Sequence, residues 1–234
     1  MRGTVLIAGA LAPALLAAAP ASAQEQLIWG VQAEQLEHRF GEETDVLAWD
    51  ADAIVGRDEL KLRLRSEGEY AFEENAFEAL DNQIRLETPI STFFDLAVGA
   101  RASTPAGPDR YHGVIGLHGL AQQWFEIDAD LFVSDKPLFR LDAEYEALIT
   151  NRIVLIPSLE LDVPLADDHE IGAGAWGPQL EVGARLSYDL VDRAISPYVG
   201  VHYERAFGES SLLRARDGED SGAIFFTVGT RILF

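Results

Sequence analysis

Asp58-Glu59-Leu60-Lys61-Leu62-Arg63-Leu64-Arg65-Ser66-Glu67-Gly68-Glu69-Tyr70 is the stretch that decides the fold. Leu60, Leu62, Leu64 and Tyr70 share one parity, while Lys61, Arg63, Arg65, Glu67 and Glu69 share the other. A period of two belongs to a β-strand, whose successive side chains point to opposite faces. The alternation returns at 47–55, where Leu47, Trp49, Ala51, Ala53 and Val55 interleave with Asp50 and Asp52, and at 125–133, where Phe125, Ile127, Ala129, Leu131 and Val133 oppose Glu126, Asp128 and Asp130. It continues through 139–147, 159–163 and 180–188.

A soluble β-sandwich alternates too, with its apolar faces meeting in one core. Four features favour a membrane barrel instead. Segments of nine to twelve residues suit a tilted spanning strand. Aromatic residues stand near strand ends, as at Tyr70, Phe94, Tyr145, Tyr188 and Tyr203, where membrane–water interfaces hold them. The chain starts with Arg2, an apolar run from Val5 to Ala19 and Ala21-Ser22-Ala23, the pattern of a secretory signal peptide, so residues 1–23 are expected to be removed and the mature barrel to occupy 24–234. Finally, Ile224, Phe226, Val228, Thr230, Ile232 and the terminal Phe234 share one parity, as in the closing strand of a bacterial outer-membrane barrel.

The expectation is therefore all-β: a transmembrane antiparallel β-barrel of about twelve strands in a Gram-negative outer membrane. The strands fall at 27–40, 45–56, 58–70, 76–87, 92–102, 110–120, 123–134, 138–149, 152–163, 178–190, 196–207 and 222–234. Turn signals separate them at Gly56-Arg57-Asp58, Thr104 to Pro108, Asp135-Lys136-Pro137, Asp192-Arg193 and the polar run Arg214 to Gly222; the gaps near 164–177 and 208–221 read as extracellular loops.

The chain contains no cysteine, which excludes disulfides and thiolate metal sites. Acidic residues number 39 against 18 basic ones, a net charge of −21, which makes nucleic acid an unsuitable partner. With the apolar parity facing lipid, the lumen receives many carboxylates, among them Asp50, Asp52, Glu67, Glu69, Asp142, Glu144, Glu160, Asp162 and Glu181, and fewer cations, among them Lys61, Arg63, Arg65, Arg101, Arg140, Arg185 and Arg231. Such groups share a narrow space only by pairing, by keeping water or by binding cations.

His118 and His202 fall on the inward parity, and His112 shares that of His118. Imidazole beside carboxylate suits copper or zinc, which makes His118, His202, His112, Glu126, Asp128 and Glu204 the candidate metal ligands. A strand histidine can equally fill a hydrogen-bonding role. His169 lies in an acidic loop and reads as solvated, and His38 shares its parity with Leu36 and Phe40 on the lipid or rim side. No serine is tied to a histidine and an orienting group, so the chain reads as a non-enzyme. Gly172-Ala173-Gly174 precedes no expected helix and is no phosphate cradle.

Leu62–Tyr70, Asp95–Arg101, Trp124–Ser134, Leu141–Asp162, Leu180–Tyr188 and Pro197–Gly208 resemble, in order, the copper resistance protein B family. The resemblance implies an outer-membrane protein of copper tolerance that binds copper and works beside a periplasmic multicopper oxidase or another copper-handling protein. Many members carry a Met- and His-rich segment before the barrel, whereas here Gln24 leads almost directly into the first expected strand and Met1 is the only methionine. Thioether capture of Cu(I) is then unavailable, and His, carboxylate and backbone oxygen suit Cu(II). Three functions remain open: a copper barrel binding or conducting copper through its lumen, a general small-solute or cation channel, and a structural barrel whose charges neutralise one another.

Overall fold

A computed structural model describes residues 27–41, 45–104, 107–218 and 220–234; the expected signal peptide, and Pro105-Ala106 of one expected turn, lie outside the described residues. Twelve antiparallel strands follow in chain order: β1 (Ile28–Phe40), β2 (Asp45–Arg57), β3 (Leu60–Ala71), β4 (Ala76–Pro89), β5 (Phe94–Thr104), β6 (Arg110–Leu120), β7 (Phe125–Val133), β8 (Leu138–Tyr145, resumed at Ala147–Leu148), β9 (Ile153–Pro164), β10 (Gln179–Tyr188), β11 (Ile195–Ala206) and β12 (Gly222–Leu233). Each pairs with the next, and β12 pairs back onto β1 with Gln32 opposite Leu233 and Phe40 opposite Phe226. Closure leaves no sheet edge, so every strand finds backbone partners on both sides.

The expected barrel is borne out, with local corrections. Asp58 and Glu59 form the two-residue turn between β2 and β3 rather than the start of a strand, and Arg57 faces Leu60. Gly56 permits that turn, since a Cβ there would come within 2.4 Å of the Leu60 carbonyl oxygen. The gap 208–221 is not all loop: a helix, α1 (Gly208–Asp217), occupies it. Its signals are local. Gly208 has φ +57°, Gly218 closes the helix at φ +85° with its N–H on the Arg214 carbonyl, and Arg214 and Arg216 sit at the negative end of the dipole. With Leu212 and Leu213 its only large apolar residues, no helical period announced it.

Turns at the end where β1 begins and β12 ends are short, at 58–59, 90–93, 121–124, 149–152 and 189–194, whereas the opposite end carries the long connections 165–178 and 207–221. Outer-membrane barrels place short turns at the periplasm and long loops outside.

The distribution of polarity is inverted relative to a soluble protein. Trp29, Phe226 and Ile84 are 68%, 66% and 51% exposed, whereas Arg85, Glu37 and Asp130 are each 1% exposed. One hub shows how the interior closes. Glu37 accepts hydrogen bonds from Arg39 Nε at 2.8 Å, Arg185 Nε at 3.2 Å and the Tyr198 hydroxyl at 2.8 Å. Gly229 leaves the room for it, since a Cβ there would lie 2.7 Å from both Glu37 and Tyr198. Glu37 and Arg39 escaped the parity reading because a bulge between Ala33 and Glu37 switches the facing of β1: Trp29 and Val31 point outward before it, Leu36 and Phe40 after it. Asp81, Arg85 and Glu87 on β4 are further interior charges that the expected lumen set omitted, although their alternation with Ile84 and Leu86 was readable.

Leu64 is 48% exposed on the outward face of β3. Leu64→Arg is expected to lower the unfolding free energy in lipid vesicles by about 2 kcal/mol or more, measured by urea titration. A loss below a few tenths would contradict the lipid-facing assignment.

Candidate metal centre

The inward parities of β1–β4 and β7–β11 line a cavity of about 230 Å³. Eleven carboxylates, four arginines and His202 border it, so each guanidinium is shared among several acids. Arg140 grips Asp162 through two contacts of 2.7 Å and reaches Glu67 and Glu160 at 3.0 Å. Arg65 takes Asp128 at 2.7 Å and lies 3.7 Å from Asp50. Glu34, Glu126, Asp142 and Glu204 have no ion-pair partner among the described residues. Carboxylates held together without enough cations favour binding one from outside.

One group offers both nitrogen and oxygen. His202 and Glu204 stand two residues apart on β11 and therefore face inward together, while Glu181 on β10 lies directly opposite Glu204. One donor atom from each of Glu181, His202 and Glu204 falls within 4.8 Å of the others. His202 is 6% exposed, and its Nε2 lies 3.2 Å from Glu181 Oε2 without the alignment of a hydrogen bond. Across the strand pair from His202 stands Gly183, where a Cβ would approach Ser158 Oγ to 2.5 Å, so the glycine makes room for that hydroxyl next to the imidazole. A nitrogen and two carboxylates converging on one point suit a borderline divalent ion such as Cu(II) or Zn(II).

The other expected ligands are dispersed. His118 lies against Asp128 through Nδ1, as its direct cross-strand position dictates, but its Nε2 is 3.4 Å from the Arg63 guanidinium and Asp128 also serves Arg65. Both are thus engaged in an ion-pair network nearer the short-turn end. His112 is packed against Phe132 with ring centroids 6.0 Å apart, opposite Arg101, whose guanidinium covers the same ring at 4.2 Å. Glu126 lines the cavity opposite Glu144. His38 stacks on Phe72 and Phe40 outside the lumen, and His169 is exposed in the loop. Sequence placed Glu181 in the lumen but not among the ligands, because which strand positions face one another depends on register.

A sequence model of the family described as Copper resistance protein B precursor (CopB) matches residues 27–234, the whole described barrel. The chain belongs to the copper resistance protein B family. Copper resistance protein B of Escherichia coli is 33% identical over 203 residues, covering 86% of this chain and 68% of that protein. The Copper resistance protein B homolog of Pseudomonas syringae pv. tomato is 31% identical over 204 residues with the same coverage. Among solved structures, the NanC porin superposes with a TM-score of 0.55 at 13% identity, over 88% of this chain and 99% of the porin, a likeness of fold. Family and fold place this member of the family in the Gram-negative outer membrane with a role in copper resistance, and neither is of an enzymatic type.

At the extracellular end of this family member, β9–β12 carry a structured cap. Gly174 N–H donates to Ser210 Oγ at 2.9 Å, and the Ser210 hydroxyl donates to the Gly177 carbonyl at 2.7 Å, joining loop 165–178 to α1. Arg214 of α1 donates to Gln179 at 3.1 Å, two residues from Glu181. From β6, Arg110 clamps Asp168 through Nε at 2.5 Å and Nη2 at 2.8 Å. Burial pushes the Asp168 carboxyl up, but the hydrogen bonds and charge of Arg110 outweigh it and hold the group below the usual carboxylate range. A depressed native pKa stabilises the cap above the unfolded value of about 3.9 and loses that stabilisation as pH falls through the native one. Amide exchange of residues 168–177, corrected for its intrinsic pH dependence, should therefore stay slow at pH 7 and accelerate below about pH 4. Arg110→Ala should exchange fast already at pH 7; equal protection in both proteins would remove the clamp from the account.

Proposed function

We propose that this barrel serves copper resistance by binding Cu(II) in its lumen at Glu181, His202 and Glu204. The convergence of those three donor groups, with a buried imidazole nitrogen that has no hydrogen-bond partner, carries the reading. Cu(II) accepts imidazole and carboxylate, and with Met1 the only methionine the chain offers no thioether set for Cu(I). His118 and Asp128 supply a second imidazole–carboxylate pair deeper in the lumen, with the carboxylate already paired to Arg65 and the imidazole Nε2 against Arg63. His112, beside Arg101 and away from the cavity, plays no part in this reading, and Glu126 contributes charge to the cavity rather than a bond to the metal.

Incomplete ion pairing speaks against a lumen whose charges only cancel. Four carboxylates without a cationic partner leave net negative charge inside, which concentrates divalent cations there. Export by removal of residues 1–23, and exchange of copper with a periplasmic multicopper oxidase or another copper-handling protein, complete the reading; the signal-peptide pattern of Arg2, Val5–Ala19 and Ala21-Ser22-Ala23 supports the first and the resemblance the second.

Calorimetry of Cu(II) binding to the refolded barrel in detergent tests the site. His202→Ala should weaken binding by about 10–100-fold or more, while His112→Ala leaves it unchanged. Absence of binding, or binding indifferent to His202→Ala, would remove copper from the triad, and conductance that copper leaves unaltered would then make the barrel a general cation channel.

A further inference from the structure

In much of the lumen, directly opposed residues on neighbouring strands carry opposite charge: Asp52 faces Arg65, Lys61 faces Glu87, and Arg140 faces both Asp130 and Asp162. Like charges also meet, as at Arg63 and Arg85, at Glu126 and Glu144, and along Asp50, Glu67 and Asp81, and one line of them is longer than these. Asp128 on β7 faces Asp142 on β8, which faces Glu160 on β9, which faces Glu181 on β10, which faces Glu204 on β11. Five adjacent strands thus present only carboxylates in direct register, and His118 on β6 faces the first of them. Like charges directly opposite are destabilising, with Cβ atoms about 5 Å apart, so the protein carries this line at a cost to its own stability.

Strands tilt in a barrel, so a line of direct opposition climbs along the axis. Asp128 is the fourth residue of β7 from the short-turn end, whereas Glu204 is the third residue of β11 from the long-loop end. The line therefore rises from His118, near the periplasmic mouth, to Glu204, two residues from His202 beneath the cap. Asp128, Asp142, Glu160, Glu181 and His202 border the same cavity. Arg65 neutralises the lowest member and Arg140 the middle one, while Asp142 between them has no cation. At the upper end the Nε2 of buried His202 lies 3.2 Å from Glu181 Oε2 yet makes no hydrogen bond, which leaves a nitrogen donor beside the acids for a ligand.

We propose that this oblique carboxylate line is a path along which divalent copper steps between the Glu181–His202–Glu204 triad and the periplasmic mouth, a route that rests on the copper reading above. Adjacent oxygens near enough to share an ion hand it on, and several sites of moderate strength let it both enter and leave. The line is symmetric in chemistry and sets no direction.

Asp142→Asn is the informative variant, because it removes a charge from the line without stripping any arginine of its partner. Glu34→Gln removes one of the charges that attract cations to the same cavity, but off the line, and so lowers only that general attraction. With the barrel in liposomes and a copper-quenched dye entrapped, Asp142→Asn should cut Cu(II) flux by about tenfold, while Glu34→Gln changes it by less than about twofold. Calorimetric affinity at the triad and the folded-barrel gel shift should be those of the unaltered protein in both variants. Undiminished flux in Asp142→Asn, an equal loss in Glu34→Gln, or binding without any flux in the unaltered barrel would each overturn the path while leaving the triad standing. Neither binding nor flux in the unaltered barrel would overturn the copper reading itself.

Discussion

Hydrocarbon offers no partner to a backbone N–H or C=O, and the rest of the structure depends on that constraint. A strand that crosses the membrane must be paired on both sides, so the sheet closes, with β12 joined to β1. Once it is closed, the pleat sends alternate residues into lipid and lumen, and a sequence tuned to this geometry has its leucines outside and its arginines inside. Phe226 lies outside while Arg85 is buried, for a single reason.

That inversion moves the difficult electrostatics to the interior. Lumenal charges lose much of their water and must find one another across the barrel, which is why Glu37 is served by Arg39, Arg185 and Tyr198, and Arg140 by three carboxylates. Glycines make this possible where bulky partners meet, as Gly229 does beneath Glu37 and Tyr198. Acids still exceed bases, and carboxylates stand on both walls of the cavity. Their longest line in direct register runs along β7 to β11, toward the end where the cap of loop 165–178 and α1 is fastened. Chemistry and closure are thereby brought to the same end of the molecule.

The barrel was legible because period-two alternation is a local property that survives any register. Strand boundaries agree closely with expectation because turn residues and charge interruptions mark them in the chain. Where local signals were absent or misleading, the reading went astray: the bulge in β1 hid Glu37 and Arg39, and α1 has too few apolar residues to show a helical period. The candidate site was legible only in part. His202 and Glu204 share a strand and a parity, so their common facing was evident, whereas His118, His112 and Glu126 had the right facing but neighbours that sequence could not supply.

Sequence alone determined that this chain is an outer-membrane barrel with a charged, acidic, histidine-bearing interior, because lipid exposure and strand pleat act on residues one and two positions apart. Tertiary structure decided which of those interior groups meet. The placement of Glu181 opposite Glu204, of Gly183 beside His202 and of Asp142 between Asp128 and Glu160 follows from the register of neighbouring strands and the shear of the closed sheet. Register is set by every hydrogen bond around the barrel at once, and no single strand encodes it.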